Sequence, residues 1–382
     1  MQRALWRFFG LIALAASGFL AGCAGSCLGC GGDGNPGGDG GGGGGTPPPV
    51  GTPPPAVVLQ SFAYVVTNGG DAVNVFRIED SGELTSVDSV SAGENVRFLA
   101  IHPSNRFAYA VNRSDDDISV YTLDPATGRL SNRTDVATGR SPWLIRIHPS
   151  GQFAYVTNTD DGTVSIFTVD AATGLLAPHP AGPVAVGAGP NGLMIDPSGS
   201  FLFVASGDGV RSYAIAASGA LGEIDTIPTA RTLTDIALAP SGGLLYTVAN
   251  DGTVSRHAIT DTGRLGAGAE SAVGTVGDQT IHIEPRGRFA YLTNRADSSV
   301  SAFGLHPDTG ELLPANTVSP GISPRAVAMG PTGQFLYATS RVEGTVSRYS
   351  VDQTSGALQA VGTPLELGNG ILGITILPAS GL

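Results

Sequence analysis

The chain has 382 residues, a formal charge of −12, 56 Gly, 26 Pro and 14% charged residues. That length buries a sizeable core, and a hydrophobic content of 41% excludes a wholly disordered chain. All 20 basic residues are Arg, which excludes a Schiff-base lysine, a phosphate-binding Walker lysine and a lysine general base, and the acidic balance argues against a nucleic-acid partner.

Arg3 and Arg7 precede an apolar run from Phe8 to Leu20, too short to cross a bilayer comfortably. The run ends in Leu20-Ala21-Gly22-Cys23, which resembles the bacterial lipobox. That resemblance implies a lipoprotein signal peptide over residues 1–22 and acylation of Cys23. With Ala24 following, it also implies delivery to the bacterial outer membrane or cell surface, so the membrane is an expected partner. Cys27 and Cys30 form a single Cys-x-x-Cys without the further ligands a zinc site needs, and they read as a disulfide or as two idle thiols. Residues 23–57 read as a tether. Gly31 to Gly45 is nearly all glycine, hence flexible, and Pro47-Pro48-Pro49 and Pro53-Pro54-Pro55 favour extended polyproline II.

Residues 58–382 repeat one unit. An aromatic or apolar strand start recurs at Phe62, Phe107, Phe153, Phe201, Leu244, Phe289 and Phe335, with spacings of 45, 46, 48, 43, 45 and 46 residues. Gly82, Gly128, Gly174, Gly219, Gly263, Gly310 and Gly356 keep the same count, and so do turn prolines at 103, 149, 197, 240, 285, 331 and 378. Within a unit, Phe153 to Asn158 and Thr163 to Val169 alternate at period two around an Asp160-Asp161-Gly162 turn, which predicts a hairpin. Four strands per unit, seven times, predict an all-β, seven-bladed β-propeller with four antiparallel strands per blade. The unpartnered apolar segment Ile371 to Leu377 is expected to join the N-terminal blade and close the ring.

The innermost strands align on their turn prolines. Residues two and four before each proline are aliphatic or Met, as a face packed between blades requires. Six before it stand Arg97, Trp143, Asn191, Thr234, Gln279, Arg325 and Leu372, expected around one mouth of the central channel. Arg97 and Arg325 suit a carboxylate, and Trp143 offers a stacking face, so the expected ligand is small and anionic or sugar-like. Arg146 and His282 fall three before their prolines, while His102 and His148 directly precede theirs and read as strand-end caps. Asp115-Asp116-Asp117 lacks calcium-loop spacing and falls where a hairpin turn is expected. With no HExxH or GxSxG either, neither a metal nor a cofactor is expected.

Tyr155-Val156-Thr157-Asn158 and Tyr291-Leu292-Thr293-Asn294 resemble the bacterial YVTN propeller repeats. Residues 281–303 and 323–340 resemble the seven-bladed lactonase family, which includes a bacterial 6-phosphogluconolactonase and a fungal muconate cycloisomerase. The resemblance implies a channel-mouth site and lactone hydrolysis, with Arg295, Arg325 and His282 at matching positions. It also sets Asn191 where the family has a His, Thr234 where it has an Arg, and Asn250 where it has a Glu, or Asp251 if the alignment shifts by one. Asparagine cannot act as a general base. Two expectations follow: a lactone hydrolase using Arg295, Arg325, His282 and Asp251, or a non-catalytic surface scaffold that binds a protein or glycan partner in the envelope.

Overall fold

The structure, a computed structural model, describes residues 60–379 apart from residue 274; the expected signal peptide, the three cysteines and the expected tether lie outside the described residues. Every regular element among the described residues is a β-strand, gathered into seven antiparallel sheets. For blades one to seven the innermost strands are Ile371–Leu377, Val96–Ile101, Pro142–Ile147, Gly192–Ile195, Leu233–Leu238, Gln279–Ile283 and Pro324–Met329. Each touches the next around the axis, and Ile371–Leu377 lies between Pro324–Met329 and Val96–Ile101, completing the circle. Ile371–Leu377 also pairs antiparallel with Ser61–Thr67, so the first blade contains both ends of the described chain, as the sequence predicted. In blades three and seven the outermost strand is split, into Leu176–Pro178 with Val184–Ala185 and into Leu358–Ala360 with Leu365–Glu366.

Two of the three seven-fold landmarks of the sequence, the aromatic strand starts and the glycines, turn out to be the two halves of one contact between blades. Gly128, at φ +72°, sits against the ring of Phe62 in the preceding blade, and Tyr64 donates its hydroxyl to the Gly128 carbonyl at 2.9 Å. A Cβ on Gly128 would collide with the ring, and a positive φ already disfavours any other residue there. The same hydrogen bond joins Tyr109 to Gly174, Tyr155 to Gly219, Tyr246 to Gly310 and Tyr291 to Gly356. Phe203 has no hydroxyl, so from blade four to blade five only the packing of Phe201 on Gly263 remains.

On the opposite face from the mouth, His102 and His148 also join blades. His102 Nε2 donates to the Gly151 carbonyl and His148 Nε2 to that of Gly199, both at 2.8 Å. These histidines therefore do more than cap their own strands, because each ties its turn to the turn of the next blade.

A third device turns polar residues into the channel. Strict alternation would leave the residue six before the proline on the same face as the aliphatic core positions. In five blades the ladder slips there. Val96 pairs with Asn112 and Phe98 with Val111, which leaves Arg97 as an extra residue; comparable slips lie at Trp143, Thr234, Arg325 and Leu372. A β-bulge bends its strand and re-aims the side chain. In two of these blades a Thr on the second strand braces the slipped backbone: Thr157 Oγ1 accepts the Leu144 N–H at 3.1 Å and Thr339 Oγ1 that of Ala326 at 3.0 Å. The motif Asn braces the following hairpin, as Asn158 donates to Thr163 Oγ1 and Ser165 Oγ. The motif's Thr157 and Asn158 thus serve as scaffold.

Candidate functional site

The seven residues six before the turn prolines converge. Arg97, Trp143, Asn191, Thr234, Gln279, Arg325 and Leu372 all line one cavity of about 450 Å³ on the propeller axis. The Arg97 guanidinium lies 3.8 Å from the centre of the Trp143 ring, and those of Arg325 and Arg113 lie 5.3 and 5.5 Å away. The indole face expected to meet a ligand thus carries Arg97, and Trp143 holds three guanidiniums together by cation–π attraction.

Arg295 stands at the rim. It donates to Ser323 Oγ at 3.0 Å and pairs with Asp278 at 2.5 Å, while Arg325 reaches the same carboxylate at 3.6 Å. Arg295 and Arg341 line an adjoining groove of about 370 Å³. Burial is the first cause that holds Arg97 down to about 8, and repulsion from Arg325, Arg113, Arg341 and Arg295 adds to it. Burial likewise holds Arg325 down to about 10, opposed by Asp278. Five guanidiniums thus share this mouth of an acidic protein, and Asp278 answers two of them. Arg113 and Arg341 were not singled out from the sequence. Both directly follow the second strand of their blades, the position Arg295 holds in blade six, so aligning the repeats there would have found them.

Asp251 is not part of this arrangement. It lies exposed in a hairpin turn, where Arg231 pairs with it at 2.8 Å while also gripping Glu270 at 2.7 Å. Asn250, beside it, is likewise exposed. Thr234 lines the cavity but spends its hydroxyl on the Gln279 carbonyl at 2.9 Å, tying blade five to blade six. Asp115-Asp116-Asp117 is a hairpin turn, as expected: Asp115 accepts the Glu94 N–H, Asp116 the Ser141 N–H and Asp117 the Asn112 side-chain amide. Further along the inner strands from the mouth, Arg146, Asp235 and His282 also face the cavity. Burial keeps His282 neutral by pushing it down to about 4, and its Nε2 has no hydrogen-bond partner.

A ring of seven four-stranded blades with a cationic, partly buried channel mouth defines the class. The sequence matches the family described as Lactonase, 7-bladed beta-propeller, over residues 57–188, 144–238 and 249–372, which is more than half of the chain; the protein belongs to that family. The 6-phosphogluconolactonase of Pectobacterium carotovorum is 38% identical over 64 residues, a stretch covering 16% of this chain and 19% of that protein. Among solved structures, a candidate 6-phosphogluconolactonase from Bacteroides uniformis superposes with a TM-score of 0.76 at 20% identity, covering 84% of this chain and 100% of the other. The periplasmic gluconolactonase of Pseudomonas aeruginosa gives 0.73 at 21% identity, covering 84% and 99%. At these identities the structural likeness is one of fold.

Proposed function

We propose that the channel mouth binds a small anionic, sugar-like ligand, a sugar acid or its lactone. The observation that carries this reading is Arg97, pressed on Trp143 beside Arg325 and Arg113, with no carboxylate within 4.0 Å of it among the described residues. Clustered guanidiniums repel, and their burial costs solvation. An anion in the cavity relieves both, and a guanidinium fork can give a carboxylate two hydrogen bonds. The gluconolactonase names of similar proteins support a sugar-derived ligand.

Calorimetric titration with gluconate, with glucose as the neutral control, tests the reading. Gluconate should bind, glucose should not, and Arg325→Ala should weaken binding by at least tenfold. Equal or absent binding of the two sugars overturns it. The alternative, a non-catalytic envelope scaffold, draws support from Asn191, Thr234 and Asn250 standing where the family has ionisable groups.

The same proposal places the propeller in the bacterial envelope, held by lipid on Cys23. Cys23→Ser should lose incorporation of labelled fatty acid and leave the membrane fraction. Unchanged fractionation removes the anchor.

A further inference from the structure

The family's general base has no counterpart at Asn250, and Asp251 points its chemistry elsewhere, into an ion pair on the rim. The cavity itself contains two carboxylates, Asp278 and Asp235. Asp278 is exposed and already shared by Arg295 and Arg325. Asp235 is different. It sits at the bulge of the blade-five inner strand, where it pairs opposite Val248, and its Oδ2 accepts the Ile281 N–H of blade six at 3.0 Å. That bond, with a second from the Ile236 N–H, fixes the carboxylate in place against the cavity wall. The remaining ionisable side chains around the cavity are Arg97, Arg146, Asp278, His282 and Arg325.

We infer that Asp235 is the general base of a lactone-opening site inside the channel, a role for which the family's own base positions offer no residue here. The inference rests on the cavity being the ligand site proposed above. Burial outweighs its hydrogen bonds and the attraction of Arg146 and Arg325, and pushes Asp235 up to about 6. A base with this affinity for protons is ionised at neutral pH yet able to take one. As a water oxygen attacks the lactone carbonyl carbon, Asp235 accepts the water proton. The tetrahedral oxyanion is stabilised by the positive field of Arg325 and Arg146. Collapse breaks the bond between the carbonyl carbon and the ring oxygen, and the ring oxygen takes the proton back from Asp235. One water is consumed and one hydroxy acid forms, which ionises in solution. His282, neutral and unpartnered, lines the same space as a hydrogen-bonding group.

The test is Asp235→Asn, which keeps an oxygen acceptor for the Ile281 N–H and so preserves the tie between blades. Opening of glucono-δ-lactone is followed above the spontaneous rate between pH 5 and 7.5, with circular dichroism and gluconate titration on both proteins. The wild type should show kcat/KM rising with pH through about 6. The variant should lose roughly 100-fold or more of that rate. It should also lose the pH limb while still binding gluconate, at equal or higher affinity because a negative charge facing the anion is gone. A variant that retains both rate and limb overturns the assignment, since a merely structural Asp235 predicts that result. Wild-type protein that binds gluconate and opens no lactone overturns it while leaving the binding reading intact. Protein that neither binds nor opens overturns both. If Asn does not fold, Asp235→Glu serves instead: a shifted pH limb supports the role, and an unmoved one overturns it.

Discussion

Tyr337 donates its hydroxyl to the Gly82 carbonyl at 2.7 Å, joining the seventh blade to the first across 255 positions of sequence. The bond has the same form as the one between Tyr64 and Gly128, yet it spans the closure of the ring rather than consecutive repeats. Tyr337→Phe removes the donor and leaves a buried carbonyl unpaired. The expected cost is about 1–2 kcal/mol, read as a lowered midpoint in denaturant at unchanged slope. No change in midpoint would show that the closure draws nothing from this bond.

Gly128→Ala should cost more, roughly 2 kcal/mol or above, because a Cβ there meets the Phe62 ring and φ is +72°. Gly222→Ala is the matched control, since its added Cβ has nothing within 4 Å. Equal stability of the two variants in thermal unfolding would refute this account of the glycine repeat.

The bulge that carries Arg325 depends on Thr339, whose hydroxyl accepts the Ala326 N–H at 3.0 Å. Thr339→Val keeps the shape and removes the acceptor. It should destabilise the fold by about 1–2 kcal/mol and weaken gluconate binding as Arg325 loses its placement. Stability loss with unchanged affinity would separate the bulge from the site.

Asp235 makes stability depend on pH with a definite sign. Its folded-state affinity for protons is raised, so ionising it costs stability; the loss begins above its ordinary value of 3.8 and is complete above about 6. Asp235→Asn lacks this loss. Relative to wild type, the variant should therefore gain on the order of 1–2 kcal/mol as pH rises from 4 to 7, measured by chemical denaturation at each pH. A constant difference across that range would contradict a buried, ionising carboxyl.

The residues most legible in the sequence were those whose role is local. Proline and glycine set turn angles, period-two alternation makes strands, and each is repeated seven times, so blade count and strand order could be read before any contact was known. Even the closure by Ile371–Leu377 followed, since that apolar strand had no partner left in its own unit.

The site was legible only in outline. The sequence placed Arg97, Trp143 and Arg325 at a common level, but alternation alone would have turned them toward the core. Bulges reversed that, and a bulge depends on its partner strand. Arg97 and Arg325 flank the blade that closes the ring, so they become neighbours only when the two ends of the described chain meet. Polar contacts between distant segments decided the rest. Arg231 holds Asp251 on the rim, Trp143 receives Arg97 in place of an open face, and Asp235 reaches a backbone group of the next blade. Local conformational preference is written residue by residue. Which charges share a cavity is settled by packing between segments far apart in the chain.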